Sequence, residues 1–235
     1  MTHAPPDPRS GDRLASDLRA FGPLGQVAML VIVLSGTITP AGIAVPLGAL
    51  LALAWCRWSL TPWRAIGYVR PRSWIGGLAA GTAVGAGLKL LMKAIVMPLL
   101  GADPTNGAYR HLAGNRALLP AAIWMMLVAG FGEETVFRGF LFERLGKILG
   151  STRGARVAIL LITSALFGLA HYADQGLAGA EQGLMTGLAF GAIFAVTGGI
   201  WVPICAHAAF DLTALAIIYL DLESAVAHLV FKGTP

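Results

Sequence analysis

Seven apolar stretches divide this chain of 235 residues, at roughly 22–39, 41–58, 74–100, 117–136, 156–172, 183–200 and 202–220. A helix crossing the bilayer core of roughly 30 Å needs about 20 such residues, so repeated runs near that length leave few folds open. Only 12% of the residues are charged, about half the roughly 25% of soluble domains. The 30 glycines suit helices whose backbones approach closely in lipid. The chain therefore reads as all-α, a polytopic membrane helix bundle of about seven transmembrane helices.

The first two stretches are separated by "TITPAGIAVP", which holds Pro40, Gly42 and Pro46. Such a segment suits a turn between two short helices. One unbroken helix would run about 55 Å, too long for the core. Arg9, Arg13 and Arg19 precede this pair and Arg57, Arg64, Arg70 and Arg72 follow it. Positive charge marks cytoplasmic flanks, which puts the N-terminus in the cytoplasm of a multi-pass protein of the cell (inner) membrane. The segment 101–117 carries only Arg110 and Arg116 and is expected outside, whereas 142–158 carries Arg144, Lys147, Arg153 and Arg156 and returns inside. Trp55, Trp58, Trp63 and Trp74 are expected in an interfacial aromatic belt.

Four regions follow: a disordered cytoplasmic tail at 1–21, N-terminal transmembrane helices at 22–116, a catalytic transmembrane core at 117–220, and a C-terminal tail at 221–235. The formal charge of +5 reads as loop lysine and arginine, not a nucleic-acid surface. Cys56 and Cys205 read as small hydrophobes in helix packing.

Ionisable residues at membrane depth are expensive and tend to be functional. Here they are Lys89, Lys93, Glu133, Glu134, Arg138, His171, His207 and Asp211. Lys89 and Lys93, at i,i+4, are expected to snorkel or to line a polar seam. Glu134 and Arg138 have the same spacing, in the favourable order for a pair. Glu133, about 100° around the helix, is left without a local partner. "FGLAH" places Phe167 one turn before His171, and "HAAFD" places His207 one turn before Asp211. Each histidine alone reads as a satisfied polar residue at a helix interface. A glutamate without a partner, two histidines and an aspartate on three apolar helices read as a site. Glu133 and His171 lie at nearly equal distances from the turn at 150–154, so an antiparallel hairpin brings them level. For His207 to join them, the helix around Gly183, Gly187 and Gly191 is expected to be short, tilted or broken.

"EETVFR" (133–138), "FGLAH" (167–171) and "HAAFD" (207–211) together resemble the CPBP intramembrane proteases, the CAAX prenyl-protease and bacteriocin-processing (Abi) family. The resemblance covers about 117–220. It implies an intramembrane endopeptidase in which Glu133, helped by His171, activates water against a peptide bond of a membrane-associated protein or peptide. His207 and Asp211 steady the oxyanion, while Glu134, Arg138 and Phe167 support the site. The cofactor is none or zinc. A zinc ion would take ligands from Glu133, His171, His207 and Asp211, but the HExxH helix of soluble zinc proteases is absent, and the reading leans to metal-free. Prenyl-protein proteases carry Asn where this chain has Asp211, which weakens a prenylated substrate more than the family. The rival readings are a silent membrane scaffold or bacteriocin-immunity binder, and then a proton-coupled transporter, which would favour inverted repeats that the chain does not display.

Overall fold

The computed structural model describes the backbone of residues 8–38 and 41–231, and the side chains of residues 13–35 and 46–231. All regular structure among them is helical. In order the elements are α1 Pro8–Arg19, α2 Pro23–Ile38, α3 Ala41–Trp58, α4 Trp74–Leu99, α5 Leu119–Glu134, α6 Leu141–Leu149, α7 Arg153–Thr197, α8 Trp201–Tyr219 and α9 Glu223–Ala227. A π-helical turn, Thr135–Phe140, joins α5 to α6, and another, Met92–Val96, lies within α4.

Local sequence explains several boundaries. The Ser73 hydroxyl accepts from the Gly76 N–H at 3.0 Å and Thr152 accepts from Ala155 at 3.1 Å, capping α4 and α7. Gly198, at φ 63°, closes α7 in the left-handed conformation. The first two apolar stretches form two helices, as expected. Their connection at 39–40, with Pro40, lies outside the described residues.

Among the described residues, three helices are long and apolar enough to cross a membrane: Trp74–Leu99, Arg153–Thr197 and Trp201–Tyr219. A fourth is added if Arg13–Arg19 and Pro23–Ser35, bent by 61°, form one span. The architecture is an all-α membrane bundle, but a count of seven spans is not established. The reasons are physical: α2 has only 16 residues, and α5, also 16 long, ends on two glutamates.

The stretches at 156–172 and 183–200 belong to the 45 residues of α7, which is broken at Gly176 (φ 64°, ψ −157°). Its two arms fold back on each other. A Cβ on Gly187 would meet Ser164, and one on Gly168 would meet the Ala180 carbonyl. Gly183, Gly187 and Gly191 therefore serve close packing against the preceding arm, and the break falls elsewhere, at Gly176. On α4, a Cβ at Gly85 would overlap the Ala206 carbonyl and one at Gly81 would strike Cys205, so the two backbones nearly touch.

Three of the four belt tryptophans are exposed, but Trp55 is buried at 3%. Its indole N–H donates to the Leu18 carbonyl at 3.1 Å, and its ring meets Phe140 edge-on at 5.0 Å. Within the segment expected as a disordered tail, residues 8–19 form α1. Its Ala15 and Leu18, three apart on one face, are buried, and Arg144 donates to the Arg19 carbonyl at 3.0 Å. Residues 1–7 of that tail lie outside the described residues. Cys56 and Cys205 are free thiols. The C-terminal segment contributes α9, whose Glu223 accepts from Lys93 Nζ at 3.0 Å and from the Asn106 N–H at 3.0 Å.

Candidate active site

Glu133 and Glu134 end α5 where the backbone passes into the π-helical turn. Such turns are rare and frequent at functional sites. Tyr68 and Thr135 hold this turn from the side: their hydroxyls are 2.7 Å apart, and Thr135 Oγ1 also donates to the Phe131 carbonyl at 2.7 Å. The site's position on α8 is set by a close approach. A Cβ on Gly130 would come within 2.8 Å of the Ala208 N, so α5 and α8 cross with His207 beside the glutamates.

The two glutamates do different things. Glu134 is fully buried, and its Oε1 accepts from Arg138 Nη1 at 2.8 Å and lies 2.7 Å from His207 Nδ1. Arg138 is buried too, donates to the Gly187 carbonyl at 3.3 Å, and stacks over the Phe167 ring at 4.4 Å. This arrangement ties α5, α7 and α8 together at one carboxylate. Glu133 Oε2 is buried without a hydrogen-bond partner. It faces His207 Nε2 at 3.7 Å and His171 Nε2 at 3.9 Å.

The tautomers follow from the partners. His171 Nδ1 lies 2.8 Å from the Phe167 carbonyl, an oxygen that can only accept, so Nδ1 donates. Neutral His171 then presents the Nε2 lone pair to Glu133. His207 Nδ1 donates to Glu134 on the same logic, which turns Nε2 towards Glu133 and towards Asp211 Oδ2 at 3.5 Å. Phe167 lies 4.7 Å from the His171 ring, centroid to centroid, and 5.8 Å from the His207 ring, fixing both imidazoles.

The structure thus brings together Glu133, His171, His207 and Asp211, with Glu134, Arg138 and Phe167 behind them. Glu133, His171, His207, Asp211 and Phe167 line a cavity of about 940 Å³. No group of three or more His, Cys, Asp or Glu side chains among the described residues is placed to hold a metal ion.

Residues 115–213 match the family described as type II CAAX prenyl endopeptidase, Rce1-like. This part of the chain is similar to that family. The match bears out the CPBP resemblance and spans every residue of the cluster, from Glu133 on α5 to Asp211 on α8. No curated protein and no solved structure matches the chain.

Sequence reasoning missed some neighbours of the cluster. Phe190 stacks on the His207 ring at 5.3 Å. It lies on the glycine face of α7, three residues after Gly187, and that spacing was a signal for it. Tyr109, on the short 3₁₀ turn Gly107–Leu112 before the matched segment, also lines the cavity. Its phenol is pushed up to about 12, by burial first and then by the negative charge of Asp211, Glu133 and Asp174. No pattern in the sequence singles it out.

Proposed function

We propose that the chain is an intramembrane endopeptidase that hydrolyses a peptide bond of a membrane-associated protein or peptide, with Glu133 as the base. The observation that carries this reading is Glu133 Oε2, buried without a hydrogen-bond partner and facing two imidazole Nε2 atoms in a large cavity. The family name adds support, since the Rce1-like proteins are described as endopeptidases.

The step follows from the proton positions. Glu133 Oε2 and the His171 Nε2 lone pair are both acceptors, and a water giving one hydrogen to each is held between them. As the water oxygen attacks the scissile carbonyl carbon, its proton passes to Glu133. The carbonyl oxygen becomes an oxyanion and takes a hydrogen bond from His207 as the imidazolium, whose Nδ1–H stays anchored on Glu134. Asp211 balances that imidazolium charge. Collapse breaks the C–N bond, Glu133 returns the proton to the leaving nitrogen, and the products are a carboxylic acid and an amine. This mechanism needs no metal, and zinc at the same four residues is the alternative. The setting is the cell (inner) membrane with the N-terminus cytoplasmic, and the partners are the substrate and the lipid bilayer.

The test is purified protein in detergent, wild type beside Glu133→Gln, on quenched membrane-tethered peptides with and without a chelator. Cleavage lost in the variant and insensitive to the chelator is the expected result. Cleavage that persists in Glu133→Gln overturns the mechanism. Folded wild type that cleaves nothing moves the weight to a silent scaffold.

A further inference from the structure

Two lysines on α4 line the same cavity as Glu133. Both are buried, at 7% and 9% exposure, yet their surroundings differ. Lys93 Nζ is neutralised by Glu223 at 3.0 Å and also donates to the Pro104 carbonyl at 2.6 Å. Lys89, one turn earlier, donates to Gln182 Oε1 at 2.9 Å and lies over the Phe210 ring at 4.9 Å. A neutral amide and a ring face are its partners, and among the described residues it has no ion pair.

The Asp211 and Glu223 carboxylates act on Lys89 only from beyond ion-pair distance, and a buried ammonium without a direct ionic partner is costly. Phe210, beneath Lys89, directly precedes Asp211, so the cation borders the cluster from the α4 side. Lys89 also lies outside the matched residues 115–213. A cation of this kind, opening on the space where a peptide is cleaved, fits an anionic group carried by that peptide.

We propose that Lys89 is a specificity-determining residue that receives a carboxylate of the bound peptide. This rests on the endopeptidase reading of the cavity. A peptide carboxylate has two sources, the chain terminus and an acidic side chain. Either takes the two ammonium donors that Gln182 leaves free and supplies the direct anionic partner that Lys89 lacks.

The experiment reads binding and does not depend on cleavage. N-acetyl-Ala-Val-Leu-Leu as the free acid, the same peptide as its C-terminal amide, and N-acetyl-Ala-Val-Asp-Leu amide are titrated in detergent. Wild type, Glu133→Gln, Lys89→Met and Lys89→Arg are compared, and thermal stabilisation is measured relative to each protein alone. Wild type and Glu133→Gln are expected to bind one of the carboxylate peptides at least about tenfold more tightly than the neutral amide. That preference disappears in Lys89→Met and persists in Lys89→Arg. Preference for the free acid identifies the terminus, and preference for the aspartyl peptide identifies a side chain. Equal behaviour of all three peptides with wild type overturns the proposal, as does a preference that survives Lys89→Met. Carboxylate binding through Lys89 in a protein that cleaves nothing would leave this inference standing while the endopeptidase reading falls.

Discussion

His207 carries its Nδ1 2.7 Å from the Glu134 carboxylate and turns its Nε2 to Glu133, 3.7 Å away. One glutamate thereby orients the ring through which the other meets its surroundings. The adjacent carboxylates of "EE" are not duplicates. Glu134 is held by Arg138, whereas Glu133 Oε2 has no hydrogen-bond partner, and in the proposed mechanism it is the one that exchanges a proton.

Glu134→Ala should be the most damaging single change in the cluster. It leaves Arg138 buried without a counter-charge and releases His207. Breaking a buried pair this way costs about 3–5 kcal/mol. Replacing both partners, Glu134→Gln with Arg138→Met, should cost less than Glu134→Ala alone. Unfolding of the three proteins in detergent checks the order, and equal losses would show that the pair does not matter to stability.

Glu133→Gln separates chemistry from stability. The carboxylate oxygen it replaces has no hydrogen-bond partner, so thermal stability should hold or rise slightly. Hydrolysis should fall by about 10²- to 10⁴-fold, the usual worth of a positioned base. A large loss of stability would instead assign Glu133 a structural role.

Asp211 stands 3.5 Å from His207 Nε2, beside the proposed oxyanion. An amide there can donate a hydrogen bond, whereas a carboxylate can only balance charge. Asp211→Asn should keep cleavage within about tenfold of wild type, while Asp211→Ala should lose about 10²- to 10³-fold, because His207, the proposed oxyanion donor, is left without its partner at Nε2. The rate of cleavage of a tethered peptide by each variant decides this, and equal loss in both would argue that the negative charge itself is required.

Gly85 and Gly87 provide a paired test of the helix packing behind the site. A Cβ at Gly85 overlaps the Ala206 carbonyl, next to His207, whereas one at Gly87 meets nothing within 4 Å. Gly85→Ala should cost about 1–3 kcal/mol from overpacking and reduce activity by displacing His207. Gly87→Ala should do neither. Melting curves and peptide cleavage of both variants give the comparison.

The helical class and the participants in the cluster were legible in the sequence because they rest on local rules. Apolar length marks helices, and one-turn spacing put Glu134 with Arg138, Phe167 with His171, and His207 with Asp211. The level meeting of Glu133 and His171 followed from counting residues around a turn. What was hidden depends on contacts between distant segments. The close approach of Gly130 and Ala208, which brings His207 to both glutamates, joins residues 78 apart in the chain. The π-helical turn at Thr135–Phe140 has no signature in residue type. Trp55 looked interfacial by composition, yet α1, whose mostly polar sequence read as a tail, supplies the carbonyl that its indole N–H reaches.

The fold-back of α7 at Gly176 also settles a question of parity. Because the two arms run antiparallel, Arg153 and Thr197 emerge on the same face of any bilayer that α7 enters. The segment therefore counts as an even number of passages, and a protease-accessible tag placed near residue 152 would be exposed to the same compartment as one placed near residue 199. A straight helix of equal length would put those tags on opposite sides, so a single left-handed glycine determines the compartment from which α8 begins its descent to the site.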